Sequence, residues 1–146
     1  MTLNTKHFGE LKIEEEKILT FEEGILGFED KKKYILLSNE EKSAFFWLQS
    51  IEDEGLAFAI VNPFMFYPEY TPEIPDTVLE AIGELKQEDL GVYTILVIPE
   101  NQEEMTTNLK APIVINTKTQ KGAQAVVENA EYDIRHYIYK DTKAVV

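Results

Sequence analysis

The chain has 146 residues, with 27 acids against 14 bases for a formal net charge of −13, two histidines and no cysteine. That length predicts one domain able to bury a core without staples, and the missing cysteines exclude disulfide and thiol chemistry. Arg135 is the only arginine, and the densest basic run, Lys31-Lys32-Lys33, directly follows Glu29-Asp30; direct nucleic-acid binding, which needs clustered cations for phosphate contacts, is not expected.

The charge is unevenly placed. Residues 43–109 carry thirteen acids and one base, Lys86, a balance of −12, whereas the remainder is nearly neutral. This half reads either as a solubilising face or as a docking surface for a basic partner. The first residues, MTLNTKHFGELK, contain no apolar signal core, and no stretch approaches the roughly 20 apolar residues of a membrane span. The expected location is the cytoplasm, with no membrane association.

In chain order, residues 2–8 have strand character, and Gly9-Glu10 forms a possible turn into 11–13. Glu14-Glu15-Glu16 is a charged connection, followed by a short strand at 17–21. FEEGILGF (21–28) places glycines at 24 and 27 around an Ile-Leu pair, the pattern of a tight turn with apolar side chains tucked inward. YILL (34–37) predicts a short buried strand.

Residues 44–70 hold eight of the sixteen aromatic residues, including the only tryptophan, Trp47. Strand alternation puts Phe46 and Leu48 on one face and Phe45, Trp47 and Ile51 on the other. Both faces are apolar, so the strand is either covered on both sides or keeps an aromatic face for a partner. After the acidic turn at 52–55, Leu56, Phe58 and Ile60 alternate with Ala57, Ala59 and Val61, and the small residues permit close approach of another layer. Asn62-Pro63 ends that strand. Prolines at 63, 68, 72 and 75 make the following loop extended and semi-rigid, and its Phe64, Phe66, Tyr67 and Tyr70 either pack back or bind something.

The one predicted helix covers 77–86, with Asp76 as cap, Val78, Ile82 and Leu85 on one face, and Gly83 weakening it by about 1 kcal/mol. VYTILVI (92–98) is the strongest strand signal, stopped by Pro99. An acidic loop at 100–107 precedes a strand at 110–117 that Pro112 places at an edge or start. Residues 124–127 and 134–139 read as a final strand pair joined by a polar turn, and 141–146 as a frayed tail after a single domain of 1–140. Many short strands with one helix predict a mainly β domain, an antiparallel barrel or sandwich.

The search for chemistry finds little. His7 and His136 are far apart and have no partner at metal-ligand spacing. Glu14–Glu16 and the acids of the 52–54 turn lack the alternate spacing of a calcium loop. The glycine pair at 24 and 27 forms no phosphate-binding motif, and Ser38, Ser43 and Ser50 sit in no nucleophile elbow. No enzyme activity, cofactor or metal is expected from these residues.

Several blocks carry a family resemblance: Phe21 to Phe28 with Tyr34-Ile35-Leu36-Leu37; Phe46-Trp47-Leu48-Gln49-Ser50; Ala57-Phe58 through Asn62-Pro63 to Tyr70; and TNLKAPIVIN at 107–116. With Gln124-Ala125-Val126-Val127 and Tyr132-Asp133-Ile134-Arg135 they resemble, over nearly the whole chain, the flagellar assembly factor FliW family. The resemblance implies a small β-barrel-like (pseudo-barrel) fold with one short helix, and a cytoplasmic, non-enzymatic regulator. Its implied partners are flagellin and the RNA-binding translational repressor CsrA. Binding CsrA would relieve repression of flagellin mRNA, through a surface away from the RNA site; accumulating flagellin would capture the regulator and free CsrA. Residue type, independently, nominates Phe64, Phe66, Tyr67 and Tyr70 of the aromatic loop and Glu103, Glu104 and Met105 of the acidic loop as contacts, because aromatics and Met enrich interface cores while acids steer from the rim. The rival readings are a barrel-fold enzyme binding flavin and an acidic interaction module with other partners.

Overall fold

The computed structural model describes residues 1–38, 45–83 and 86–138. Seven strands close into a barrel: β3 (Leu19–Thr20), β4 (Lys33–Leu37), β5 (Phe45–Ser50), β6 (Ala57–Val61), β7 (Leu90–Val97), β9 (Ile113–Asn116) and β10 (Lys121–Gln124). The hairpin of β1 (Thr2–Thr5) and β2 (Gly9–Lys12) forms a separate sheet, while β8 (Thr106–Thr107) and β11 (His136–Tyr137) extend the barrel sheet beyond β7. Neighbours run antiparallel except β3 and β10, which meet in parallel through Thr20 and Lys121. The barrel shuts where β7 pairs with β6 on one edge and β9 on the other.

Alternation decides the layers. Phe46 and Leu48 of β5, Phe58 and Ile60 of β6, Tyr93 and Ile95 of β7 and Ile113 and Ile115 of β9 all belong to one cluster with Phe21, Ile25 and Tyr34. This is the barrel interior. Ring pairs within it meet edge to face at 5.3 Å (Phe21–Tyr34; Phe46–Tyr93). Burial pushes the Tyr34 hydroxyl up to about 12, with the charges of Glu52 and Asp30 adding to the effect. FEEGILGF is a tight turn in which Gly24 and Gly27 take positive φ, but only Ile25 of the Ile-Leu pair tucks inward; Leu26 is exposed.

The second apolar face of β5 is covered except at Phe45. Ile35 and Ile51 pack with Leu3, Leu11 and Ile13 of the N-terminal hairpin, and Trp47 meets Phe8 edge to face at 5.4 Å. Trp47 is half-buried and Phe45 stays exposed.

The helix α1 (Asp76–Ile82) lies on the outer side of β9 and β10, where Val78, Leu79 and Ile82 meet Val114 and Ala125. Two expectations are corrected here. Asp76 is the first helical residue rather than the cap; Pro75 holds the cap position and no side chain bonds the first turn. The helix also ends at Ile82, because Gly83 turns to φ 92° and the Ile82 carbonyl accepts from the Asn116 amide and the Thr119 hydroxyl instead. Leu85 lies outside the described residues.

The expected final pair is a third correction. β10 ends at Gln124 and pairs with β9, while β11 pairs with β8. The chain between them crosses the aromatic loop, since burying Val127 and Tyr132 against Tyr70 and Leu109 replaces ladder bonds between the two segments. The tail at 141–146 lies outside the described residues.

Gly122 of β10 faces the Phe21 ring, and a Cβ there would stand 2.5 Å from Cζ and 2.7 Å from Cε1. Gly122→Ala is expected to cost about 1–3 kcal/mol in urea unfolding through overpacking of the barrel interior.

Candidate protein-interaction face

Pro63 begins a 3-10 turn at Pro63–Met65, and the Asn62 side chain accepts from the Phe64 N–H at 3.0 Å. Asn-Pro therefore ends β6 and starts the aromatic loop in one step. The loop folds back over the outer wall of the barrel. There Ala59 and Val61 of β6 and Leu96 of β7 pack with Phe66, Met105 and Ile138. The small residue at Ala59 leaves room for this layer.

The structure thus joins the two nominated segments. Phe66 of the aromatic loop and Met105 of the acidic loop share that cluster. Tyr67 and Tyr70 form a second one with Leu109, Val127 and Tyr132. Tyr70 and Tyr132 rings lie 4.7 Å apart, and Tyr67 meets the His136 ring at 5.3 Å. The polar ends are used as well. The Tyr70 hydroxyl donates to the Leu109 carbonyl at 2.6 Å, and the Thr71 N–H donates to the Tyr132 hydroxyl at 2.8 Å. Burial, and next the neighbouring Tyr132, push the Tyr70 hydroxyl far up, so it stays a donor at every physiological pH. Asn129 completes the tie: its Oδ1 accepts from Glu73 N–H and its Nδ2 donates to the Thr71 carbonyl.

Burial sorts the seven nominated residues. Tyr70 and Met105, at 2% and 6% exposure, are core groups beneath the face. Phe66 and Tyr67 are half-buried, while Phe64 at 39%, Glu103 and Glu104 are exposed. Several surface groups escaped the sequence reading. Met65, Val97, Ile98, Ile134 and Tyr137 are exposed apolar side chains, and Val97 and Tyr137 both lie level with Thr106 across β7, β8 and β11. Their signal was faint because a strand end exposed by tertiary packing looks in sequence like any buried strand. The buried Tyr132 was missed too, since it directly follows what reads as a polar turn at 128–131.

The acidic turn at 52–55 divides between two roles. Glu52 accepts the backbone N–H groups of Lys32 and Lys33 at 2.6 and 2.8 Å, tying the turn to β4. These two bonds, Lys32 first, hold its carboxyl below the ordinary value, with the Lys31 and Lys33 charges assisting against a small opposing effect of burial. Asp53 accepts from Gly55 N–H within the turn. Among the described residues no group of three or more histidines, cysteines, aspartates or glutamates could hold a metal ion, and no helix is long and apolar enough to cross a membrane.

Fold and face together define a small closed β-barrel whose outer wall carries a tied-down aromatic loop beside an acidic one. A family model described as FliW protein matches residues 2–138. The flagellar assembly factor FliW of Alkaliphilus metalliredigens (strain QYMF) is 49% identical over 142 residues, 97% of this chain and 88% of that protein. That of Lachnoclostridium phytofermentans is 43% identical over 143 residues, covering 96% and 92%. A crystal structure of the flagellar assembly factor FliW matches with a TM-score of 0.88 at 34% identity, covering 95% of this chain and 97% of that one. The chain belongs to the FliW family of flagellar assembly factors.

Two outcomes follow from the geometry. Tyr70→Phe leaves the buried Leu109 carbonyl without its donor and is expected to cost about 1–3 kcal/mol in thermal or urea unfolding. Because the folded pKa of Glu52 is depressed, its contribution to stability is full above the unfolded value and is lost as pH falls through the folded one. Glu52→Gln is therefore expected to lower the urea midpoint at about pH 7 and to flatten its fall toward about pH 3.

Proposed function

We propose that this FliW-family chain is a cytoplasmic, protein-binding regulator that binds flagellin and the translational repressor CsrA, without binding RNA itself. By occupying CsrA it antagonises repression of flagellin mRNA, and accumulating flagellin withdraws it again, coupling filament-subunit synthesis to assembly. The family membership supports the partners; the observation that supports the surface is the joining of the aromatic and acidic loops through Phe66 and Met105. Phe64 and Met65 stand exposed on one loop and Glu103 and Glu104 on the other, apolar anchors with an acidic border. Buried Tyr70 and Met105 hold the face; Phe64, Phe66, Tyr67, Glu103 and Glu104 meet the partner.

The charge distribution supports a basic partner. Five of the thirteen acids in residues 43–109, Glu69, Glu73, Glu100, Glu103 and Glu104, sit on the two loops that build this face. An RNA-binding protein presents a cationic surface, and docking brings the negative field within reach of its RNA. Phosphate repulsion then aids release without overlap of the two sites, over a Debye length of about 8 Å at physiological salt.

Capture of flagellin and CsrA from the same cell by the purified chain tests the partner assignment, and recovery of neither would overturn it. Phe64→Ala is expected to weaken at least one of the two complexes roughly tenfold with the fold intact. Association with CsrA is expected to slow on the order of tenfold between low and physiological salt, and a salt-insensitive affinity would remove the electrostatic part.

A further inference from the structure

The first half of β7 has a second edge that no described strand covers. The Thr117 N–H donates to the Asp89 carbonyl at 2.9 Å, and the Asn108 N–H to the Ile95 carbonyl at 3.0 Å. Odd-numbered residues of β7 therefore exchange bonds on the side of β9 and β8, and Leu90, Val92 and Thr94 turn their N–H and C=O groups toward β6. Thr94 meets Val61 there. Continued in register, β6 would bring Pro63 opposite Val92 and Met65 opposite Leu90. Pro63 has no N–H to give. The chain instead enters its 3-10 turn, where the amides of Met65, Phe66 and Tyr67 bond to Asn62 and Pro63. Among the described residues, the edge groups of Leu90 and Val92 are left without a ladder partner.

A cleft of about 180 Å³ opens beside this edge, walled by the rings of Phe46, Phe64 and Tyr93. Gly91 forms its floor because the Tyr93 ring lies across the strand at that point; a Cβ on Gly91 would stand 2.9 Å from Tyr93 Cε2. A bare strand edge accepts an extended backbone, and an adjoining aromatic cleft accepts one of its side chains. The walls themselves carry no charge, and exposed Glu88, two residues after exposed Lys86, stands just before the open edge.

We propose that the seam between β6 and β7 takes up an extended peptide segment of apolar and basic residues by strand addition at Leu90 and Val92. The added strand continues the ladder that Pro63 interrupts, sets one apolar side chain against Phe46 and Tyr93, and turns a cation toward Glu88. The inference stands on the seam itself and does not depend on which partner protein supplies the segment.

Amide exchange followed residue by residue in the full chain, alone and with a capped peptide of alternating lysine and valine, tests it. In the free chain Leu90 and Val92 are expected to exchange at least about tenfold faster than Gly91 and Tyr93, which bond to β9. At saturating peptide the first two should slow by about tenfold or more while the second two change little. Two further peptides, N-methylated on the lysines or on the valines, separate strand addition from charge attraction; one of them should bind at least about tenfold more weakly than the parent. Protection of Leu90 and Val92 before any peptide is added would overturn the proposal. So would their continued fast exchange in its presence, or equal binding by all three peptides.

Discussion

Closure of the barrel at β7 is the constraint from which the rest of this molecule follows. Its eight residues, Leu90–Val97, must serve β6 on one edge and both β9 and β8 on the other. A sheet of this size left open would expose two unpaired edges, and closing it removes them at the cost of bringing distant chain segments together. With β7 in place, residues of one parity line the interior and those of the other form an outer wall. That outer wall then needs its own cover, which the helix, the N-terminal hairpin and the aromatic loop provide over different sectors.

The aromatic loop is held more firmly than a surface segment of its length would suggest. Tyr70 and Tyr132 each bury a ring and spend their hydroxyl on backbone, and Asn129 bonds both Thr71 and Glu73. Such ties fix where Phe64 and Met65 project. A loop held in this way has little conformational entropy left to lose, and buried Tyr70 and Met105 lie beneath the exposed Phe64 and Met65. The acidic groups divide in the same way. Glu52 is committed to the Lys32 and Lys33 amides, whereas exposed Glu104 borders the outer face.

Much of this organisation was legible in the chain. Alternation in FFWLQS put Phe46 and Leu48 on one face, and in LAFAIV it set Leu56, Phe58 and Ile60 apart from the small residues; the barrel interior holds all five. The glycine pair at 24 and 27 marked a turn, and Asn62-Pro63 marked a strand end. The errors have common physical causes. By residue type Asp76 is the better cap, but the extended backbone at Pro75 starts the helix one residue earlier and leaves Asp76 inside its first turn. Residues 124–127 and 134–139 have strand composition, but each found a better partner elsewhere, because a ladder bond is worth the same whichever strand supplies it and side-chain burial breaks the tie.

The sequence by itself determined the class of the fold, the faces of its central strands, the placement of nearly all net charge on one half, and the family. These rest on local properties: side-chain period, turn chemistry, composition and motif order. Tertiary structure alone decided that Tyr70 and Met105 lie beneath the outer face while Phe64 and Met65 lie on it, that Val97 and Tyr137 stand exposed at the sheet's far end, and that β7 keeps an open edge at Leu90 and Val92. Each depends on which segment reaches a given place first and covers it. That is a property of the closed barrel, and no window of neighbouring residues contains it.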